Sequence, residues 1–422
     1  MADTIQPADE KGVQDAVAAA LSDAMPLEIV GGGTKRTLGH PVSASGILSL
    51  SALSGIVSYE PEELVITVRP GTTLEEVEAA LADRNQCFAF EPPDWRGLLG
   101  SDGRQTVGGV VATNQSGPRR LRAGAARDHV LGARIVTGRA ETVKIGGKVV
   151  KNVTGYDLCK LIAGSYGTLA VMTEITLKTL PAGEKTRTVL LFGQDHAAAQ
   201  AAMTEALHSP NDISAAAYVP EAIAGRSGVG YVANSNAAVT AVRVEGPEPS
   251  VAARCAALRD LLGRHGDVEE LHFHNSRKFW AEAGDVSAFA DGSDPVWRLS
   301  IPPASAPGTV ARIAADIDCD FFADWGGGLV WLKPRGAAED AGASTVRNAI
   351  ADTGGHATLI RASEELRRQV PVFQPQPAAL GALSARIRDG YDPAHILNPG
   401  RMSLQTTLQT TLPTTVRTGE GG

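Results

Sequence analysis

The sequence predicts an α+β protein of two or three domains, on three observations. Its 422 residues are more than one hydrophobic core usually serves. Short apolar, strand-like runs alternate with short amphipathic helices without a regular βαβ repeat. Residues 103–132, GRQTVGGVVATNQSGPRRLRAGAARDHVLG, mix glycines, five arginines and an apolar run at 107–112 in a way that suits neither an ordinary helix nor an ordinary strand. Glycines let backbone amides approach a ligand, and arginines add forked donors for anions. That stretch predicts a site for a large anionic cofactor.

Taken in order, Val13, Val17 and Leu21 recur with helical spacing and predict a helix over 11–25. A strand over 27–30 runs straight into Gly31-Gly32-Gly33-Thr34-Lys35, the context in which backbone amides cradle a phosphate; a plain glycine turn is the competing reading. Strands follow at 47–50 and 64–68. Thr73 and Glu76 form a capping box that opens a helix over 74–82. After the glycine–arginine stretch come a hairpin, 130–137 with 142–145, and a helix ending near Gly164. A long strand over 168–180 is stopped by Pro181. Strands at 189–192, 213–219 and 238–244 then alternate with helices at 196–207 and 250–265, which suggests a ferredoxin-like second domain. Strands at 297–301 and 328–332, helices near 308–317, 363–370 and 379–389, and a closing HILNPGR complete the folded part; residues 405–422 read as a disordered tail.

Composition narrows the function. A hydrophobic content of 43% with 20% charged residues fits a soluble globular protein, and a net charge of -8 argues against a general nucleic-acid binder. Cys87, Cys159, Cys255 and Cys319 form no C-x-x-C pair, so neither a zinc ribbon nor an iron–sulfur run is supported. No signal peptide and no apolar run of the ~18 residues that span a bilayer are read, so the expected location is cytoplasmic.

Three tempting motifs weigh little. Gly228-Val229-Gly230-Tyr231-Val232-Ala233 fits a dinucleotide fingerprint, but no strand feeds it and the following residues do not read as a helix. His272 and His274 would share one face of a strand, with no third metal ligand at a useful spacing. Asp316, Asp318 and Asp320 read as a solvated strand face, with a cation site as the competing reading.

As a set, IVGGGTK, QTVGGVVATNQSGPRRLRAGAARDHVLG, KNVTGYDL, GSYGTLAVMTEITLK and ILNPGR resemble the vanillyl-alcohol oxidase/p-cresol methylhydroxylase flavoproteins. SGPRR, the RDHVLG run, KNVTGYDLCKL and Trp297-Arg298-Leu299-Ser300 are similar to the FAD-binding E subunits of bacterial glycolate oxidases. The resemblance covers about residues 27–401. It implies a two-part α+β FAD-binding domain of the p-cresol methylhydroxylase type over 1–182, a ferredoxin-like α+β cap over 183–370, and a return to the first domain over 371–404.

Carried over by position, Gly31, Gly32, Gly33 and Thr34, with Lys35, would meet the FAD diphosphate. Thr106, Val107, Gly108 and Gly109 would line the flavin ring, and Asn114, Ser116 and Gly117 would return to the phosphates. Gly124, Arg127 and Asp128 would continue that wall, while Gly164, Gly167, Thr168, Glu174 and Ile175 would flank the ribose and adenine. Thr34-Lys35 stands where relatives that attach FAD covalently carry a histidine, so non-covalent FAD is expected.

The family activity is oxidation of a small 2-hydroxy acid such as glycolate. Catalytic relatives carry an H-G-D-G-N-x-H stretch for metal ligands and a base; the nearest counterpart here, Asp324-Trp325-Gly326-Gly327-Gly328, has no histidine, and His356 reads as isolated. No catalytic base and no metal ligand can be assigned, and Arg298 is the one candidate for the substrate carboxylate, with Trp297 and Trp280 as walls. The resemblance therefore implies an FAD-containing subunit that works with a catalytic flavin subunit and an iron–sulfur subunit, held peripherally at the inner membrane if at all through them. A stand-alone FAD oxidoreductase with a different base, and a subunit whose FAD is structural, are the alternatives.

Overall fold

The structure, a computed structural model, describes residues 3–147, 156–336 and 339–403. The first half of the chain carries two main sheets and a two-stranded pair, Gln86–Cys87 with Leu180–Pro181. Asp3–Ile5, Gly46–Ser49 and Leu27–Val30 make a small parallel sheet with Gly46–Ser49 in the middle. A five-stranded antiparallel sheet follows, in the order Ile56–Glu60, Val65–Val68, Ala170–Lys178, Val130–Thr137, Thr142–Gly146. Helix Glu10–Ser22, capped by the Asp9 carboxylate on the Gly12 amide at 2.7 Å, joins the two. Its Val13 and Val17 are buried in one cluster with Leu27 and Leu48 of the small sheet and Val136 and Val171 of the large one. Two sheets sharing one helix in this way place the glycine turn after Val30 beside the loop that precedes Val107.

The run at 107–112 corrects the sequence reading. Val107–Thr113 is a helix: the Thr106 hydroxyl accepts from the Gly109 amide, and Asn114 ends it in the left-handed conformation. Val107, Val110 and Val111 are buried at i, i+3 and i+4, which is helical spacing. Gly108 has no side chain because a Cβ there would stand 2.7 Å from that of Pro70.

The second half is built twice over. Lys185–Phe192, helix His196–His208, Ala215–Val219, Val239–Gly246, helix Glu248–Leu262 and Val268–Leu271 form one β-α-β-β-α-β unit, the ferredoxin-like pattern expected from the sequence. Val296–Ser300, helix Ala306–Asp316, Cys319–Asp324, Leu329–Pro334, helix Ala343–Ile350 and His356–Arg361 repeat it. The units meet where Tyr218 pairs with Ala323, giving one eight-stranded sheet. Helices on one face build a core around Trp297, Leu299 and Val346; the other face, with Trp331, Val296 and Ile360, packs on Trp95, Leu98 and Leu99 of the first half.

Two minor readings also change. His272 is not in a strand: it caps helix Phe273–Asp285, so His272 and His274 do not share a strand face. Asp320 is not solvated but buried, with Arg226 at 2.8 Å and Arg335 as partners, while Asp316 ends a helix. Residues 151–155 of the KNVTGYDL motif and the tail 405–422 lie outside the described residues.

Candidate functional site

A cleft opens where the glycine turn meets the loop before Val107, lined by Gly31–Arg36 and by Thr106, Gly109, Ala112 and Thr113. Close backbone contact builds it. A Cβ at Gly32 would lie 1.6 Å from the Arg104 carbonyl oxygen, and one at Gly103 would lie 2.0 Å from that of Gly32. Only paired glycines let the two loops touch, and Gly33, at φ +79°, then turns the chain away with open space beside it. The result is a concave run of backbone amides of the kind that takes a diphosphate.

Lys35 supplies the charge. Its Nζ donates to Gln105 Oε1 at 2.7 Å and to Thr34 Oγ1 at 3.2 Å, both neutral. Burial lowers its proton affinity to about 8, with Asp94 opposing and Arg96 adding to the shift. A half-buried ammonium whose hydrogen-bond partners among the described residues are both neutral fits an anionic ligand in the cleft.

The C-terminal return closes the wall. Leu27 N donates to Ile396 O at 2.7 Å, and Asn398 accepts from the Ile29 amide at 2.8 Å while donating to the Tyr166 carbonyl at 2.7 Å. Arg401 holds the Arg36 and Leu38 carbonyls at 2.6 and 3.0 Å and Glu28 at 3.0 Å. Tyr166, Asn398 and Arg401 line the cleft, and sequence reasoning missed all three as site residues. The closing NPGR and the Tyr in GSYGTL were the available signals.

Of the residues carried over by position, the cleft gathers Gly31, Gly32, Gly33, Thr34, Lys35, Thr106 and Gly109. The others support it or stand elsewhere. Val107 is buried, and Asn114 Oδ1 accepts from the Arg127 amide at 2.9 Å. Ser116 Oγ accepts from Ala126 N, and Asp128 accepts from Ala125 N in the loop at Gly124, each at 2.9 Å. Gly117 packs on the Glu91 carbonyl. Gly164 donates its amide to Val111 O, Gly167 abuts Asn398, and Thr168 Oγ1 donates to Ser165 O. Glu174 and Ile175 pair with Arg134 and Ala133 in the five-stranded sheet.

Tyr166 links the cleft to a second cluster. Arg298 lies over the Trp325 ring with its Cζ 5.0 Å from the centroid, and Arg120 lies over the same ring at 4.5 Å. Among the described residues neither guanidinium has a carboxylate within ion-pair distance; Asp128 acts on Arg120 only from farther away. The Nε of Arg298 is buried without a hydrogen-bond partner. Burial and then the charge of Arg120 lower the proton affinity of Arg298 to about 10, opposed by Tyr166, so Arg298 stays charged. His356, which read as isolated, feels both arginines: burial first, then Arg298 and Arg120, lower its proton affinity.

Trp325 is fixed for this position. Its Nε1 donates to the Gly117 carbonyl at 3.1 Å and its amide to Asp324 Oδ1 at 2.6 Å. It adopts φ +53°, a conformation a bulky residue takes rarely. Trp297 and Trp280 are not walls of this cluster. Neighbours in a strand point to opposite faces, so Trp297 is buried in the cap core with Nε1 on Ala341 O at 2.8 Å. Trp280 is buried with its Nε1 on Thr188 Oγ1 at 2.8 Å.

Residues 2–146 match the family described as FAD binding domain. The chain is 36% identical over 387 residues to the glycolate oxidase subunit GlcE of Escherichia coli (strain K12), covering 91% of this chain and 94% of that one. Similarity to the glycolate oxidase subunit GlcD of Bacillus subtilis (strain 168) is 33% over 46% of this chain and 39% of that one. Among solved structures, 4-ethylphenol oxidase from Gulosibacter chungangensis superposes with a TM-score of 0.69 over 95% of this chain and 89% of that one, at 16% identity, which shows the shared fold. Among the described residues no helix is long and apolar enough to cross a membrane, and no group of three or more His, Cys, Asp or Glu side chains converges on a metal position.

Proposed function

Since the chain belongs to the family of the glycolate oxidase subunit GlcE and carries its FAD binding domain, we propose that it is the FAD-binding subunit of a heteromeric glycolate (2-hydroxy acid) oxidase. In this reading it acts beside a catalytic flavin subunit and an iron–sulfur subunit, in the cytoplasm or peripherally at the inner membrane through them. Residues 1–182 with the return 371–404 form the cofactor half and 183–370 the cap. Gly31–Gly33, Thr34 and the Lys35 ammonium would hold the diphosphate of a non-covalent FAD. Thr106 and Gly109 would lie along the flavin, and Tyr166 and Arg401 would close the far wall. Bound there, FAD supplies a two-electron acceptor for oxidation at a CH–OH carbon.

One observation carries the dependence on partners. At the cap loop where a dehydrogenase of this kind needs a base, the chain presents Trp325 and three glycines, and no imidazole or carboxylate faces the arginine pair from that loop. Asp324 beside it is buried and holds the Trp325 amide. A self-sufficient dehydrogenase has one observation in its favour, namely His356 near both arginines. The purified FAD-loaded chain mixed with glycolate separates the two. The flavin absorbance should persist with the chain alone and bleach within the time of normal turnover, on the order of seconds or less, once the partner subunits are added. Bleaching by the chain alone, abolished in His356→Ala, would establish the second reading instead.

A further inference from the structure

Arg120 and Arg298 come from opposite halves of the molecule, yet their guanidiniums converge on one indole. Like charges do not converge without a reason, because each raises the cost of the other. Proteins bury a charge only when it is paired, and the nearby network shows that this chain can pair its arginines: Arg243, also buried, is held by Glu91 at 2.8 and 2.9 Å. Arg298 has no such partner among the described residues, and its Nε is a buried donor with nothing to donate to. The side chain is enclosed by protein but still partly open to solvent, as a group lining a cleft is. Trp325 itself is held in a left-handed conformation that a bulky residue takes rarely, with hydrogen bonds from its amide and its indole Nε1 that keep its ring in place.

We infer that Arg120 and Arg298, presented over the Trp325 indole, form a binding site for a small planar carboxylate, one that this chain binds without oxidising it. The absence of oxidation rests on the partner-dependent reading above. A carboxylate fits better than a tetrahedral anion for two reasons. A guanidinium fork matches two coplanar oxygens, and both forks lie over one flat ring. Tyr166 both lines the cofactor cleft and acts electrostatically on Arg298. A bound 2-hydroxy or 2-oxo acid would thus adjoin the cofactor.

The test is calorimetric titration of the FAD-loaded chain with glycolate, glyoxylate and oxalate, with orthophosphate as the tetrahedral control and the flavin spectrum followed in parallel. The expected result is saturable binding of the carboxylates, no flavin reduction, and affinity lowered by about 10- to 100-fold in Arg298→Met and in Arg120→Met. Arg122→Met, whose guanidinium is exposed and paired with Asp212 at 2.8 Å, should change nothing. Absence of carboxylate binding, or phosphate binding as tight as oxalate, overturns the site and leaves the subunit assignment standing. Carboxylate binding with flavin reduction keeps the site and overturns the partner-dependent reading. If either methionine variant loses FAD, the wild-type titration decides, and Arg298→Lys must then retain FAD with weakened oxalate binding.

Discussion

Arg119 and Arg120 are adjacent in sequence and have opposite surroundings. Arg119 forks onto Glu245 with two contacts of 2.9 Å and approaches Glu91 at 3.2 Å. Burial alone would lower its proton affinity, but Glu91 and Glu245 outweigh burial and raise it. Among the described residues Arg120 has no carboxylate at that distance, and burial followed by the charge of Arg127 lowers its proton affinity. One arginine is a joint between the two halves of the molecule; the next points toward a position that the protein leaves uncompensated. Charge count alone does not mark a site. The lack of internal compensation does.

The paired side of the comparison should break most violently. Glu91 receives both nitrogens of Arg243, whose side chain is 2% exposed, and the Arg119 amide at 2.6 Å. Glu91→Ala leaves a buried guanidinium without its bidentate partner and is expected to cost about 3 kcal/mol. The readout is the urea midpoint at unchanged slope. A destabilisation under about 1 kcal/mol would mean that Glu245 alone neutralises both arginines, and the joint would then be looser than its geometry implies.

A second strain on the same network comes from acid. Burial would raise the proton affinity of Glu245, but Arg243 and then Arg119 outweigh it and hold the carboxyl at about 2, below its ordinary 4.5. The folded protein therefore binds this proton less readily than the unfolded chain. Its stabilising effect is complete above pH 4.5 and is lost as the pH falls from there toward 2. Denaturation midpoints across that window should fall steeply for the wild type and less steeply for Glu245→Gln. Equal slopes would remove Glu245 from the acid response.

Sequence order explains which parts of this are legible. Helix Leu74–Ala82 is legible to the residue because its cap, Thr73, whose hydroxyl accepts from the Glu76 amide, is a local signal. The glycine turn is equally local, since a strand leading into three glycines states its own geometry. The ferredoxin-like unit shows once in the sequence and is present twice in the fold, because the second copy hides two strands and helix Ala343–Ile350. Cys319–Asp324 looks solvated until Arg226 and Arg335 neutralise Asp320, and His356–Arg361 follows a glycine-rich turn that masks its start. Helix Phe273–Asp285 buries Ser276, Phe279, Trp280 and Ala283 at helical spacing, but His272 and His274 at its start read as one face of a strand instead. Arg298 is legible in the sequence; Arg120 and Trp325 are not, because only the packing of the cap on the first half brings them together.

On the unpaired side, Lys35 gives a smaller and pH-dependent effect. Burial lowers the proton affinity of its ammonium to about 8. An anion binds the protonated form more tightly and raises that value further. FAD affinity should thus be flat below pH 8 and decline above it, while Lys35→Met binds FAD more weakly at neutral pH with no such decline. Fluorescence titration of free FAD quenching measures both. A riboflavin titration places the contact: if Lys35 meets the diphosphate, riboflavin binding should be indifferent to the substitution.

The smallest expected effect is the sharpest test of the comparison. An arginine that stabilises the fold costs stability when removed, as Glu91→Ala should show from the other partner. Arg298 makes no ion pair among the described residues, leaves its Nε unsatisfied, and is opposed by Arg120. Replacing it by methionine exchanges an uncompensated charge for an apolar chain of similar reach, against the Trp325 ring it already covers. The cation–π attraction that disappears with the guanidinium is worth about 0.5–2 kcal/mol, and relief of desolvation and repulsion offsets it. The urea midpoint of Arg298→Met should therefore move by less than about 1 kcal/mol, in either direction, even though the site then holds half its charge. A destabilisation as large as that of Glu91→Ala would show that Arg298 holds the fold as Arg243 does, and the unpaired arginine would lose its claim to be a site.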